Sequence, residues 1–322
     1  MAFSSKVLLF VSLFVFVVAV SGQSSWAPTK VDSGGDLIAV YFTSADRGFI
    51  AGDNGYLAST NDGGRTWSKY DLKTTENINE IYFRNDDNGY LVAGRKMFIT
   101  RDAGRTWQET VLFRASDFRN GTPEFLSIRF ADKKRGLVVG SVLNRKGDVI
   151  DSLVLRTEDG GESWNRIVVP SKTELFHLDF VGDSRAWIVG DRGLILYTSD
   201  GGNTWQKQAS GTDRALYNVD FRDAKDGYAV GGRGTILRTE DGGQRWEKVE
   251  TAFPSTFMRV DFADDKNGWI VGHGGSILRS GDRGKTWVKQ ESGTKESLYG
   301  LYMTKKYGVA VGAGGVLIRH NR

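Results

Sequence analysis

The chain of 322 residues contains no cysteine. Its stability is therefore expected to owe nothing to disulfides, and no lipid anchor is expected, since lipidation needs an acceptor thiol. Histidine is almost as scarce. His177, His273 and His320 fall in three different sequence repeats with no ligand spacing between them, so no metal site is expected. There is no Gly-x-Ser-x-Gly and no phosphate-binding loop, which leaves nucleophilic and nucleotide chemistry without candidates, and no cofactor is implied. Lysine and arginine exceed aspartate and glutamate by only 43 to 39, and the basic residues form no run. A nucleic-acid partner is not expected, because a phosphate-binding face needs clustered positive charge. Only four prolines stand against 41 glycines, a balance suited to many short strands joined by tight turns.

Long apolar runs are also missing, with one exception at the start. Lys6 precedes Val7–Val20, apolar except for Ser12, and the small residues Ser21 and Gly22 follow. This is the order of a secretory signal, and the run is too short for a comfortable membrane span. Residues 1–22 are expected to be a signal peptide cleaved after residue 21 or 22. Residues 23–322 then form one domain of a soluble, exported monomer, in a periplasm, a thylakoid lumen or the extracellular space.

What is abundant is one phrase, Thr/Ser-x-Asp-x-Gly-x-x-Trp, written six times. It runs Thr60–Trp67, Thr100–Trp107, Thr157–Trp164, Thr198–Trp205, Thr239–Trp246 and Ser280–Trp287. Its aspartates, Asp62, Asp102, Asp159, Asp200, Asp241 and Asp282, are 40, 57, 41, 41 and 41 residues apart. A period in this range signals a radial or stacked repeat. The unit after Trp205 reads as four strands, Trp205–Gln208, Leu216–Phe221, Gly227–Gly231 and Thr235–Thr239, from β-branched and aromatic content and alternation. Trp26 stands 16 residues before Phe42, the spacing from Trp205 to Phe221, and Gly312–His320 matches Gly231–Thr239 without a phrase after it. The strand at Trp26 is thus expected to complete the last unit and close a ring with no open edge. The count gives an all-β fold, a seven-bladed β-propeller of four-stranded antiparallel blades.

The phrase is the Asp-box, and seven such units behind a signal-like segment resemble the photosystem II stability/assembly factor family of exported or lumenal propellers. The resemblance covers residues 26–322. It implies a non-enzymatic protein that receives a photosystem II reaction-centre subunit on an arginine-rich surface if the host is phototrophic. The missing cysteine departs from the anchored cyanobacterial form. Sialidases, sortilin-type receptors and some glucanases also carry Asp-boxes, so a carbohydrate-binding or glycosidase-like propeller is the alternative. Against it, the chain lacks the Phe/Tyr-Arg-Ile/Leu-Pro motif of sialidases. The nearest approach is Phe113-Arg114-Ala115-Ser116. No catalytic residue is assigned.

The six Asp-box aspartates are expected to be structural, accepting hydrogen bonds inside their own turns. Strand order puts these turns on one face, with the turns between second and third strands and the blade connections on the other. The 57-residue interval carries two insertions, near Phe113–Pro123 and Val142–Ser152, both expected on that second face. The same face is expected to gather Arg95, Lys96, Arg114, Arg119, Arg145, Lys146, Arg192, Arg214, Arg233 and Lys295 as candidate partner-binding residues, with Lys172 nearby. Arginine suits such a role because its planar fork pairs with carboxylates. Glu80, Tyr82, Arg129, His177, Asp179, Asp220, Arg259, Asp261 and Tyr302 are expected to line a central channel.

Overall fold

A computed structural model describes residues 26–118 and 121–321. The signal-like segment 1–22 and Arg119 lie outside the described residues. Seven four-stranded antiparallel sheets, blades I to VII, follow one another around a ring. Their innermost strands are Leu37–Phe42, Ile78–Phe83, Thr122–Phe130, Leu175–Val181, Leu216–Phe221, Phe257–Phe262 and Leu298–Met303. In blade V the strands are Leu216–Phe221, Gly227–Gly231, Ile236–Thr239 and Glu247–Lys248, within one residue of the expectation for the first three. Closure also occurs as expected. Trp26–Lys30 pairs antiparallel with the strand Val316–Asn321, Trp26 opposite His320 and Lys30 opposite Val316. Among the described residues no helix is long and apolar enough to cross a membrane.

The fold has no single centre of hydrophobic burial. It has seven cores, each at one interface between neighbouring blades. The reason lies in the strand pattern. The second strand of each blade, such as Gly227–Gly231, is buried on both faces, so each sheet must be covered on both sides. An aromatic triple recurs at these interfaces. The phenylalanine ending an innermost strand stacks on an aromatic of the preceding blade, as in Trp187–Phe221 at 3.5 Å and Tyr228–Phe262 at 4.2 Å. The Asp-box tryptophan then meets that phenylalanine edge-on, as in Phe221–Trp246 and Phe262–Trp287. Offset stacking plus edge contact is the geometry that aromatic quadrupoles favour.

At the closing blade the pattern is rebuilt from other residues. Trp26 occupies the place of an Asp-box tryptophan and stacks on His320, which stands where other blades have the Asp-box threonine. Its indole Nε1 donates to Gln290 Oε1 at 3.0 Å, just as Trp246 Nε1 donates to Gln208 Oε1 at 3.2 Å. Trp26 is buried and belongs to the core between blades VI and VII.

Hydrogen bonds between turns define the two faces. On one face each Asp-box turn donates to the turn between first and second strands, for example Gly242 N to Lys225 O. On the other, the turns between second and third strands meet the blade connections, for example Asp191 N to Glu174 O and Gly232 N to Ala215 O. The insertions of blade III rise on this second face. They lengthen its inner strands to Thr122–Phe130, Gly136–Leu143 and Val149–Thr157, and add a short 3-10 turn at Ala115–Phe118.

Replacing Trp26 by alanine removes a buried aromatic from the closing blade. A loss of about 3–5 kcal/mol in guanidinium-induced unfolding is expected. A change below about 1 kcal/mol would mean that closure does not support the ring.

Candidate functional site

Each Asp-box spends its carboxylate on its own turn. In the first copy Thr60 Oγ1 donates to Asp62 Oδ1 at 2.7 Å, while Arg65 N and Thr66 N donate to the same oxygen at 2.9 Å. Thr66 Oγ1 donates to Oδ2 at 2.6 Å. The bonds from the Thr66 hydroxyl and amide hold the Asp62 carboxyl well below the ordinary range. The bonds from both hydroxyls and from the amide four residues on recur at Asp102, Asp159, Asp200 and Asp282, whereas Asp241 keeps Thr239 but lacks the second hydroxyl because Arg245 stands in its place. These carboxylates bond within their own turns and are separated around the ring. Among the described residues no group of three or more His, Cys, Asp or Glu could hold a metal ion.

The channel residues form a cluster around one buried acid. Arg129 Nη1 donates to Glu80 Oε1 at 2.8 Å and Arg259 Nη2 to the same oxygen at 3.2 Å. Ile128 N donates to Oε2 at 2.9 Å. Burial pushes the Glu80 carboxyl up, but the guanidiniums of Arg129 and Arg259 outweigh it and hold it well below the usual range. Burial and the nearby Arg259 push the His177 imidazole down to about 3, so it is neutral. Arg129 Nη2, which can only donate, donates a hydrogen bond to His177 Nε2 at 3.0 Å. Tyr82 faces its neighbour, its hydroxyl on Phe130 O at 3.3 Å and its ring under Arg129. Deeper in the channel lie Asp179, Asp220, Asp261 and Tyr302. Burial raises all three aspartates, Asp179 to about 6 and Asp261 to about 7, and neighbouring acids add to it, Glu80 at Asp179 and Asp179 at both Asp220 and Asp261.

A wide concavity lies elsewhere, on the face opposite the Asp-boxes. A groove of about 1120 Å³ runs between blades IV and V and is bordered by Arg192, Arg214 and Arg233. Lys172, Lys207 and Lys248 add to its positive charge, and Asp191 and Asp213 reduce it. Asp191 Oδ2 is 3.6 Å from Arg192 Nε, and Asp213 Oδ1 is 3.3 Å from Arg214 Nε. The walls are fixed by close approach. A Cβ on Gly193 would meet Thr212 O at 2.0 Å, and one on Gly234 would meet Phe253 O at 2.3 Å, so each turn is locked onto the connection that follows.

Arg192 and Arg233 sit at the tip of equivalent turns with φ 55°. Blades I, VI and VII place Asn54, Gly274 and Gly314 there, residues that take positive φ readily. An arginine at such a tip costs about 1–2 kcal/mol of conformational energy. Local sequence is thus set against local backbone at two neighbouring positions of one groove.

The other candidates are not gathered there. Arg95 lies 3.8 Å from Glu76 and Lys96 3.0 Å from Glu109, both on blade II. Arg114 precedes the 3-10 turn, Arg145 and Lys146 occupy the tip of the long hairpin of blade III, and Lys295 lies on the connection from blade VI to VII. Lys207 and Lys248 were not foreseen. Both fall two residues after an Asp-box tryptophan, as do Lys69 and Lys289, and that phase of the repeat was the signal available.

The raised aspartates make stability pH-dependent. Asp261 holds its proton more tightly folded than unfolded, where its ordinary value is 3.8. Its contribution is full below that value and is lost as pH rises towards about 7. Asp261→Asn keeps an acceptor for Met303 N, which bonds Asp261 Oδ2 at 2.7 Å. The thermal midpoint of that variant is expected to exceed the parent's at pH 8 and to match it near pH 4. A variant less stable than the parent at pH 8 would contradict this.

The model of the photosynthesis system II assembly factor YCF48 family matches residues 18–112, 66–173, 163–216 and 203–295. The photosystem II assembly lipoprotein Ycf48 of Synechococcus sp. (strain CC9902) is 28% identical over 155 residues, covering 47% of this chain and 42% of the relative. The chain thus aligns with less than half of that relative's length. Among solved structures, YCF48 bound to D1 peptide superposes with a TM-score of 0.76 at 20% identity, covering 94% of this chain and 96% of that one. YCF48 from Cyanidioschyzon merolae gives 0.72 at 20% identity, over 93% and 99%. With the family model spanning most of the seven blades, the chain belongs to the photosynthesis system II assembly factor YCF48 family.

Proposed function

We propose that this chain binds a partner polypeptide, without covalent chemistry, along the groove between blades IV and V. The observation that carries this reading is the pair Arg192 and Arg233, held at positive φ on the rim of one groove with Arg214 beside them. Strained backbone is retained where the side chain it presents is needed. Three guanidinium forks along an open groove suit carboxylates on an extended segment, and such charges set specificity and encounter rate more than raw affinity. The family assignment supports a role in photosystem II assembly or repair, and the related structure with D1 peptide supports a reaction-centre subunit as partner in a phototrophic host.

The remaining features fit one account. Residues 1–22 act as an export signal removed after residue 21 or 22, and the mature chain works outside the cytoplasm as a monomer. The Asp-boxes are architectural. The other described candidates, Arg95, Lys96, Arg114, Arg145, Lys146 and Lys295, contribute a wider positive field on the same face and no direct contact in the groove. No catalytic residue, metal or cofactor takes part.

Reversing Arg192, Arg214 and Arg233 to Glu is expected to abolish capture of the partner from the host's solubilised membrane fraction in a pull-down. Unchanged capture would eliminate the groove as the site. Arg192→Gly with Arg233→Gly is expected to weaken capture while raising stability by up to about 1–2 kcal/mol per tip, less the extra chain entropy of glycine. A pair that lost capture through lost stability would show an unfolding midpoint below the parent's.

A further inference from the structure

The central channel opens on the same face, and its mouth is built from one residue of every blade. In all seven innermost strands the pairing with the second strand slips by one residue, for example between Leu175 and His177 and between Phe257 and Arg259. Such a bulge re-aims the residue left unpaired. Six of these residues are Ile38, Leu126, Phe176, Tyr217, Met258 and Tyr299, and Asn79 is the seventh. All seven line one pocket of about 340 Å³ and none is fully buried. Folding does not require this apolar ring, since the seven interblade cores are filled by other side chains. A concave apolar site with a few converging polar groups is the usual form of a small-ligand pocket.

The polar groups are at the floor. Arg259 and His177 line this pocket and also the channel beneath it. Arg259 shares a single carboxylate oxygen, Glu80 Oε1, with Arg129, and Glu80 Oε2 is taken by Ile128 N. Two guanidiniums therefore share one oxygen of Glu80, and among the described residues that is the one hydrogen bond of the Arg259 side chain, which leaves it further N–H donors for a ligand under the apolar ring. The other acid acting on Arg259 is Asp261, whose carboxyl burial drives toward its neutral form. The acids at the rim are tied to backbone. Asp53 Oδ2 accepts from Asp36 N at 3.0 Å and Asp36 Oδ1 from Gly314 N at 2.9 Å.

We propose that the channel mouth binds a small apolar group that ends in a carboxylate, with the acid on Arg259 and the ring or hydrocarbon among Phe176, Tyr217, Met258 and Tyr299. The site is separate from the groove between blades IV and V and does not depend on that groove's function. The carboxylate can belong to a free acid or to the last residue of a polypeptide.

Calorimetric titration of the full chain with 3-phenylpropionate, 3-phenylpropanamide, and a short peptide ending in Phe with a free or amidated terminus tests the proposal. Saturable binding of the acid is expected, with the amide weaker by about tenfold or more, because a charge-assisted bond is lost. Binding by the free acid alone assigns a free compound. Binding also by the peptide with a free terminus, and not by its amide, adds the chain end. Arg259→Gln leaves Glu80 paired with Arg129 and should weaken the acid by a similar factor. Phe176→Asp, at a partly exposed position, should do so with an unchanged thermal midpoint, and so keeps the test decisive if Arg259→Gln fails to fold. Equal binding of acid and amide, no saturable binding of either acid-bearing probe, or affinity unmoved by Phe176→Asp would overturn the proposal.

Discussion

Five antiparallel pairings between Trp26–Lys30 and the strand Val316–Asn321 hold this ring shut, and everything else in the structure depends on them. Each blade is too thin to bury its own apolar residues, so its stability comes from the two neighbours that cover it. The core between blades VII and I includes Val309, Val311 and Leu317, and it exists only if the last blade returns to the first. Trp26 adds the second contribution, filling the core between blades VI and VII and donating to Gln290. Closure couples the ends of the chain across the largest sequence separation it has. The loop entropy of that coupling grows only slowly with length, so a few buried contacts suffice to offset it.

A closed ring leaves two faces, and the phrase that builds it consumes one of them. The Asp-box carboxylates accept the hydrogen bonds of their own turns, as the donors around Asp62 and Asp200 show. The opposite face keeps its options open. There the turn tips can be Asn or Gly, as at Asn54 and Gly314, or can be made to carry Arg192 and Arg233 at a conformational cost. A cost borne at two adjacent tips, over one wide groove, marks the place where the scaffold departs from its own best sequence.

The blade count, the ring closure, the first three strands of blade V and the two faces were all legible in the sequence, because a repeat places equivalent residues at equivalent positions. Trp26 could be matched to Trp205 by its 16-residue distance to a phenylalanine. The sites were less legible. Arg192, Arg214 and Arg233 could be placed on one face, but their meeting in a single groove depends on the angle between blades IV and V, which no periodicity encodes. Glu80, Arg129, His177 and Arg259 could be listed as channel residues, yet not as one ion cluster, since they come from blades II, III, IV and VI. The ring of bulge residues escaped notice for a related reason. In sequence Phe176 and Tyr217 read as the alternate positions of ordinary strands, and only the slipped register turns them to the channel mouth.

The most direct test of the account is hydrogen exchange on the full chain with and without its captured partner. Protection is predicted over residues 171–173, 191–195, 209–214 and 233–235, with the six Asp-box turns unchanged. Protection on the Asp-box turns, with those four stretches unchanged, would contradict it.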